Sequence, residues 1–236
     1  MGLLTKLHYN SDSDNRDSLA NRLRQKRMAV FESFFADTFS SELKEGKTIR
    51  ILDIGGTYRF WNSVGFKYLS NCEFVLLNVT DEPVPDGAKG FTGIIGDATD
   101  MKEISDSSFD LVFSNSCIEH VGKMPEWKKM ASEMMRTGRY YFLQTPNRHF
   151  FMEPHFLMPW FQFLPLGMKA FILRHFRFGW FKYIKTKEEA LEAADSIHLL
   201  SLKDIKELFP EGTIKRERFL GMTKSFMVMG VTRKEN

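Results

Sequence analysis

The sequence predicts an α/β fold built on a doubly wound, mostly parallel sheet with an antiparallel pair at its end. Two observations carry the parallel part. Between residues 48 and 146, five short apolar runs rich in β-branched residues alternate with stretches at helical spacing. Most of those runs are continuously apolar, as in strands buried on both faces. A third observation adds the reversed end: residues 213–219 and 224–231 read as two strands joined around Gly221.

The elements follow in chain order. Leu19, Leu23, Val30, Phe31, Phe34, Phe35 and Phe39 recur at roughly helical spacing, behind a cap-rich stretch at 11–15. The opposite face carries Arg22, Arg24, Lys26 and Arg27 and reads as solvated, and the helix should end by Gly46. Strands are expected at 48–56 (TIRILDIGG), 72–80 (CEFVLLNVT), 91–99 (FTGIIGDAT), 109–116 (FDLVFSNS) and 138–146 (GRYYFLQTP). Helical stretches fit at 61–69, 118–121 and 126–137. The alternation breaks after Pro146, and residues 199–209 read as a helix capped by Ser201.

Composition excludes several classes. The chain has 236 residues, is 43% hydrophobic and 27% charged, which fits one globular domain. It divides into an N-terminal helical cap (1–46), a parallel half (47–147), an insertion (148–196) and a C-terminal helix with its hairpin (197–236). Cys72 and Cys117 lie inside apolar runs and read as buried thiols of a reducing, cytoplasmic compartment. A net charge of +3 does not by itself argue for nucleic acid. The first residues lack a long apolar core, so no signal peptide is expected, and Lys6 stands where a myristoylation signal needs Ser or Thr.

The polar groups gather where an open α/β sheet binds ligands, at the C-terminal ends of its strands. ILDIGG (51–56) ends the first run in an acid followed by two glycines, which permit close backbone approach. Neither a G-x-G-x-x-G nor a G-x-x-x-x-G-K-[ST] pattern is present. Asn78 ends the second run, Gly96-Asp97-Ala98 the third, and Asn115 the fourth.

In that order and spacing, LDIGG, GDA, SFDLV and IEHV resemble the class I S-adenosylmethionine-dependent methyltransferases, in the group that acts on small molecules and glycans. The resemblance runs from about residue 49 to 147 and implies a Rossmann-like, seven-stranded sheet with a reversed C-terminal hairpin. It implies S-adenosyl-L-methionine as cofactor. Asp53 and Gly55 would hold its methionine end and Gly56 would allow close approach. Asn78 would face the ribose, Asp97 would accept from the adenine amino group with Ala98 beside the ring, and Asn115 would lie beside the sulfonium. Two departures weaken the match: Tyr58 or Arg59 replaces a further loop glycine, and Asn78 replaces an acid.

Glu119-His120 is similar to the end of the Glu-x-x-Glu-His run of ubiquinone-biosynthesis O-methyltransferases, which can carry a metal, but Ser116 replaces the first acid. Two adjacent donors without a clear third make a poor site, so no metal is expected. On the acceptor side, Glu153-Pro154-His155 follows the fifth strand. His155 is the candidate base and Glu153 the group that orients it; a hydrogen-bonded structural histidine reads equally well.

Ten of the 23 phenylalanines fall between 142 and 181, and residues 154–187 hold no Asp or Glu but carry Lys169, Arg174, Arg177, Lys182, Lys185 and Lys187. The prolines and charges break any spanning helix. Two readings stand: a helical lid whose aromatics pack on the sheet and wall the acceptor pocket, or an interfacial element beside anionic head groups across 156–187. The chain is thus expected to methylate oxygen on a small-molecule, glycan or lipid-linked acceptor. The alternatives are N- or C-methylation, or a non-catalytic relative that docks at the membrane. The oligomeric state is open.

Overall fold

The computed structural model describes residues 19–176 and 184–232. The cap stretch at 11–15, and Arg177, Trp180, Phe181 and Lys182 of the insertion, lie outside the described residues.

Helix α1 (Leu19–Thr38) and the short α2 (Ser40–Lys44) lead to Gly46, whose φ of 68° closes the turn. Strand β1 (Ile49–Ile54) follows, then α3 (Tyr58–Val64), β2 (Cys72–Asn78), β3 (Phe91–Ile95) and β4 (Phe109–Asn115). A 3-10 turn (Ile118–His120) precedes α4 (Met124–Thr137) and β5 (Gly138–Pro146). The insertion contains a two-residue hairpin, β6 (Met152–Glu153) and β7 (Met158–Pro159), then α5 (Leu166–His175) and α6 (Lys187–Asp195). Helix α7 (Leu202–Leu208), β8 (Thr213–Phe219) and β9 (Met222–Val231) complete the chain.

The sheet has seven strands in the order β3-β2-β1-β4-β5-β9-β8. Strands β1 to β5 are parallel, and β9 runs antiparallel to both β5 and β8. The order reverses at β1 and β4, so the ligand crevice of this topology lies beyond their C-terminal ends.

Adjacent residues of the central strands face opposite layers, as pleating requires. Leu52, Val112 and Leu143 pack with α4 and α7; Ile51, Leu111 and Phe142 pack with α1 and α3. On α4 the buried Trp127, Met130, Ala131 and Met134 follow the i, i+3, i+4, i+7 pattern of a one-sided helix.

Local chemistry explains the boundaries that differ from expectation. Helix α3 starts at Tyr58 rather than Trp61 because Thr57 caps it, its hydroxyl accepting from the Phe60 amide at 3.0 Å. It stops at Gly65, in the left-handed region, well short of residue 69. Residues 118–121 hold only a single 3-10 turn. Helix α7 is capped by Ser201 as expected, and Asp204 returns the bond to the Ser201 amide.

Two readings need correction. Arg27 does not lie on a solvated face: its side chain is 16% exposed and pairs with Glu217 of β8. Nor do the insertion's aromatics all pack on the sheet. Phe156 and Phe161 form a separate small core with Ala170, Leu173, Ala190 and Ala194 of α5 and α6. Trp160, Phe163, Phe171 and Phe176 stand exposed. No described helix is long and apolar enough to cross a membrane.

Candidate active site

Asp53 is a buried polar group at the C-terminal end of β1. It is the fifth residue of β1, and its side chain is buried against the layer formed by α1 and α3. Trp61 of α3 donates its indole N–H to Oδ2 at 2.7 Å, while Oδ1 is buried with no hydrogen-bond partner. Burial pushes the carboxyl up to about 7, and the Trp61 bond offsets only part of that.

The glycine turn wraps this carboxylate. Gly55 has a φ of 75° and donates its amide to the Leu77 carbonyl at 2.8 Å. A Cβ on Gly56 would overlap the Asp53 carboxylate, so only glycine fits there. Asn78, half-buried at the end of β2, donates its side-chain amide to the Gly56 carbonyl at 2.8 Å. It therefore clamps the turn, with its carbonyl oxygen left to meet a hydroxyl. Tyr58, which replaces a loop glycine, turns toward β3 and meets the Phe91 ring edge-on at 5.1 Å.

Asp97 is exposed beyond β3. Thr99 donates both its amide and its hydroxyl to Oδ1, at 2.8 Å each, and these bonds hold the carboxyl below its ordinary range. The second oxygen remains for an outside donor. Ala98 beside it is buried, and Asn115 is half-buried at the end of β4. Asp53, Gly55, Gly56, Asn78, Asp97, Ala98 and Asn115 therefore all sit at or just beyond the C-terminal ends of β1 to β4.

A second polar group forms past β4 and β5. Glu119 is fully buried in the 3-10 turn; Thr145 of β5 donates its hydroxyl to Oε2 at 2.9 Å, and Oε1 has no partner. Burial pushes Glu119 up to about 7. Glu153 is buried in β6, accepts the Phe156 amide on Oε2 at 2.6 Å, and lies 2.7 Å from His155 Nδ1 through Oε1. Burial alone would lower the His155 pKa, but the bond and charge of Glu153, with the charge of Glu119, outweigh it and leave the imidazole raised.

The His120 ring meets that of His155 edge-on at 5.0 Å. Although His120 is partly open to solvent, local desolvation, then the neighbouring His155, push it down to about 4. Donor atoms of Glu119, His120 and His155 lie within 4.8 Å of one another. No third donor stands near Glu119 and His120 in the sequence; His155, 35 positions after His120, supplies it across the fold. His149 is exposed, and its ring lies 6.3 Å from that of Phe163.

Reasoning from sequence missed three contributors. Trp61 supports Asp53, Thr145 supports Glu119, and Ser116 donates its hydroxyl to the Gln144 side chain at 2.9 Å between β4 and β5. Only Trp61 left a signal, an indole about one turn into the helix behind the acid. Cys72 and Cys117 are both free, Cys117 only half-buried, and burial pushes both thiols up to about 12.

A family model described as a methyltransferase domain matches residues 63–139, beginning just after the glycine turn. No curated protein sequence matches the chain. Among solved structures, the magnesium protoporphyrin IX methyltransferase of Synechocystis PCC 6803, with bound SAH, is 11% identical; the similarity covers 89% of this chain and 84% of that one, with a TM-score of 0.50. A SAM-dependent methyltransferase from Methanosarcina mazei is 13% identical, covering 78% of this chain and 91% of that one, with a TM-score of 0.46. The N-methyltransferase NodS from Bradyrhizobium japonicum WM9 is 11% identical, covering 91% and 97%, with a TM-score of 0.46. The fold is that of the class I S-adenosylmethionine-dependent methyltransferases.

Proposed function

We propose that the chain binds S-adenosylmethionine at the ends of β1 to β4 and methylates an oxygen of a small-molecule, glycan or lipid-linked acceptor. One observation supports the binding site most: Asp53 keeps a buried carboxylate oxygen without a partner under a turn that only glycine fits. A cationic amino group there would restore the charged form that burial disfavours. Asp97 has an oxygen available for an adenine amine, and Asn78 a carbonyl for a ribose hydroxyl. Bound there, the cofactor supplies a methyl group already activated on a sulfonium.

The chain's own task is then to align the acceptor and remove one proton. Alignment is the larger contribution, up to about 7–11 kcal/mol, and a general base adds about 10²–10⁴-fold. With Nδ1–H donating to Glu153, His155 offers the Nε2 lone pair to an acceptor hydroxyl. As the acceptor oxygen took up the methyl group, its proton would pass to Nε2 of His155, which Glu153 holds in place through Nδ1. An N- or C-acceptor needs the same alignment.

Calorimetry with S-adenosylhomocysteine on Asp53→Ala and Asp97→Ala tests the binding site; wild-type affinity in both would remove it. His155→Ala should lower turnover by about 10²–10⁴-fold with cofactor affinity unchanged. An effect under about threefold would leave alignment alone. No metal is invoked, although the spacing of Glu119, His120 and His155 would suit a cation. Turnover lost in chelator and restored by added metal would make these three residues ligands.

A second reading concerns location and rests on the exposed insertion. Trp160, Phe163, Leu166, Met168, Phe171 and Phe176 are all exposed, in a stretch without any acid. A cytoplasmic enzyme would meet an anionic membrane through this face, aromatic groups inserting and cations facing the head groups. The free cysteines fit that compartment.

A further inference from the structure

A cavity of about 420 Å³ lies beside the ends of β4 and β5, between α1, the start of the insertion and the β8–β9 hairpin. Leu23, Phe150, Phe151, Leu157 and Phe219 give it apolar walls. Ser116, directly after Asn115, and Gln144, the β5 residue paired with Asn115, also line it. The cavity therefore adjoins the crevice where a methyl group would be delivered.

Among the described residues, the cavity's charged groups are Arg27, Lys224 and Glu217. Arg27 Nη1 lies 3.1 and 3.2 Å from the two Glu217 oxygens. Ser225 donates its hydroxyl to Oε2 at 2.7 Å, and Lys224 Nζ stands 3.8 Å from the same oxygen. These side chains are only 16%, 24% and 5% exposed for Arg27, Lys224 and Glu217. Two half-buried cations thus share one carboxylate that Arg27 and Ser225 already occupy, and Arg27 Nε is buried with no partner among the described residues. An uncompensated buried cation is costly, so this end of the cavity favours an added anion.

We infer that the cavity holds the acceptor, and that the acceptor is an apolar molecule bearing one anionic group, a carboxylate or a phosphate, held between Arg27 and Lys224. This deepens the methyltransferase reading and rests on it for the word acceptor. Burial lowers the Lys224 ammonium, and the nearby Arg27 adds to that, while Glu217 offsets only part of it.

The test is calorimetry on the full chain, with and without saturating S-adenosylhomocysteine, using decanoate, decyl phosphate and decanol as probes. At least one anion should bind about tenfold or more tighter than decanol, and the better of the two identifies the anionic group. Lys224→Met should erase most of that preference and leave decanol unchanged. Glu217→Gln keeps a partner for Ser225 but removes the competing charge, so it should strengthen anion binding. The two variants shift affinity in opposite directions, so poor folding of one leaves the other decisive. Equal binding of decanol and both anions, or a preference that neither variant moves, overturns the inference. Anion preference without any S-adenosylhomocysteine binding would uphold the pocket and sink the methyltransferase reading; the reverse result would sink the pocket alone.

Discussion

Under α1, Phe31 touches five other aromatic rings, with centroids 4.8 Å away for Phe113, 5.0 Å for Phe142 and 5.3 Å for Phe66. On the insertion, Trp160 is 53% exposed and Phe171 56%. Both regions draw on the same residue types, and coverage separates them. Beneath α1, rings from several distant segments close on one another against the sheet. On α5, Ala170 and Leu173 are buried and Ile172 is half-buried, while Leu166, Met168 and Phe171 are left outside. Aromatic excess therefore means core in one place and exposed surface in the other.

The largest expected effect separates the two regions by stability. Phe31→Ala should cost about 3–5 kcal/mol in urea unfolding, because a fully buried ring leaves a cavity. Phe171→Ala should stay within about 0.5 kcal/mol. Comparable losses in both would mean that the insertion's aromatics are core in solution.

A second effect links the buried cluster to the site. Trp61 packs against Phe31, Phe74 and Phe113 and also donates to Asp53. Asp53 keeps its proton in the folded chain up to about pH 7, against an ordinary value of 3.8. The folded state then binds more protons than the unfolded one across that window, so Asp53 makes stability fall as pH rises through it. Trp61→Phe removes the donor that stabilises the charged form. It should cost about 1–3 kcal/mol at pH 8, measured by urea unfolding, and less at pH 5.5, where Asp53 is neutral. A cost independent of pH would make the indole a packing group only.

The smallest effect concerns the exposed region. Trp160→Ala with Phe171→Ala should reduce partition onto phosphatidylserine-containing vesicles by about tenfold or more, with the unfolding midpoint unchanged. Unchanged partition would remove the membrane from the proposed function.

By itself, the sequence determined the parallel strands, the reversed hairpin and the residues at the strand ends, because each is a local pattern. Continuous apolar runs, an acid followed by glycines, and a serine answered by Asp204 are all legible within a few positions. The pairing of Glu153 with His155 was legible for the same reason, since the two stand two residues apart. Tertiary structure decided what depends on distant segments meeting. The third donor beside Glu119 and His120 comes from beyond β5, and the partner of Arg27 lies 190 positions away on β8. A basic helix face looks the same in sequence whether water or a buried carboxylate lies across from it. Only the closing of α1 over the hairpin turned Arg27 from a solvated residue into part of a charged cavity wall.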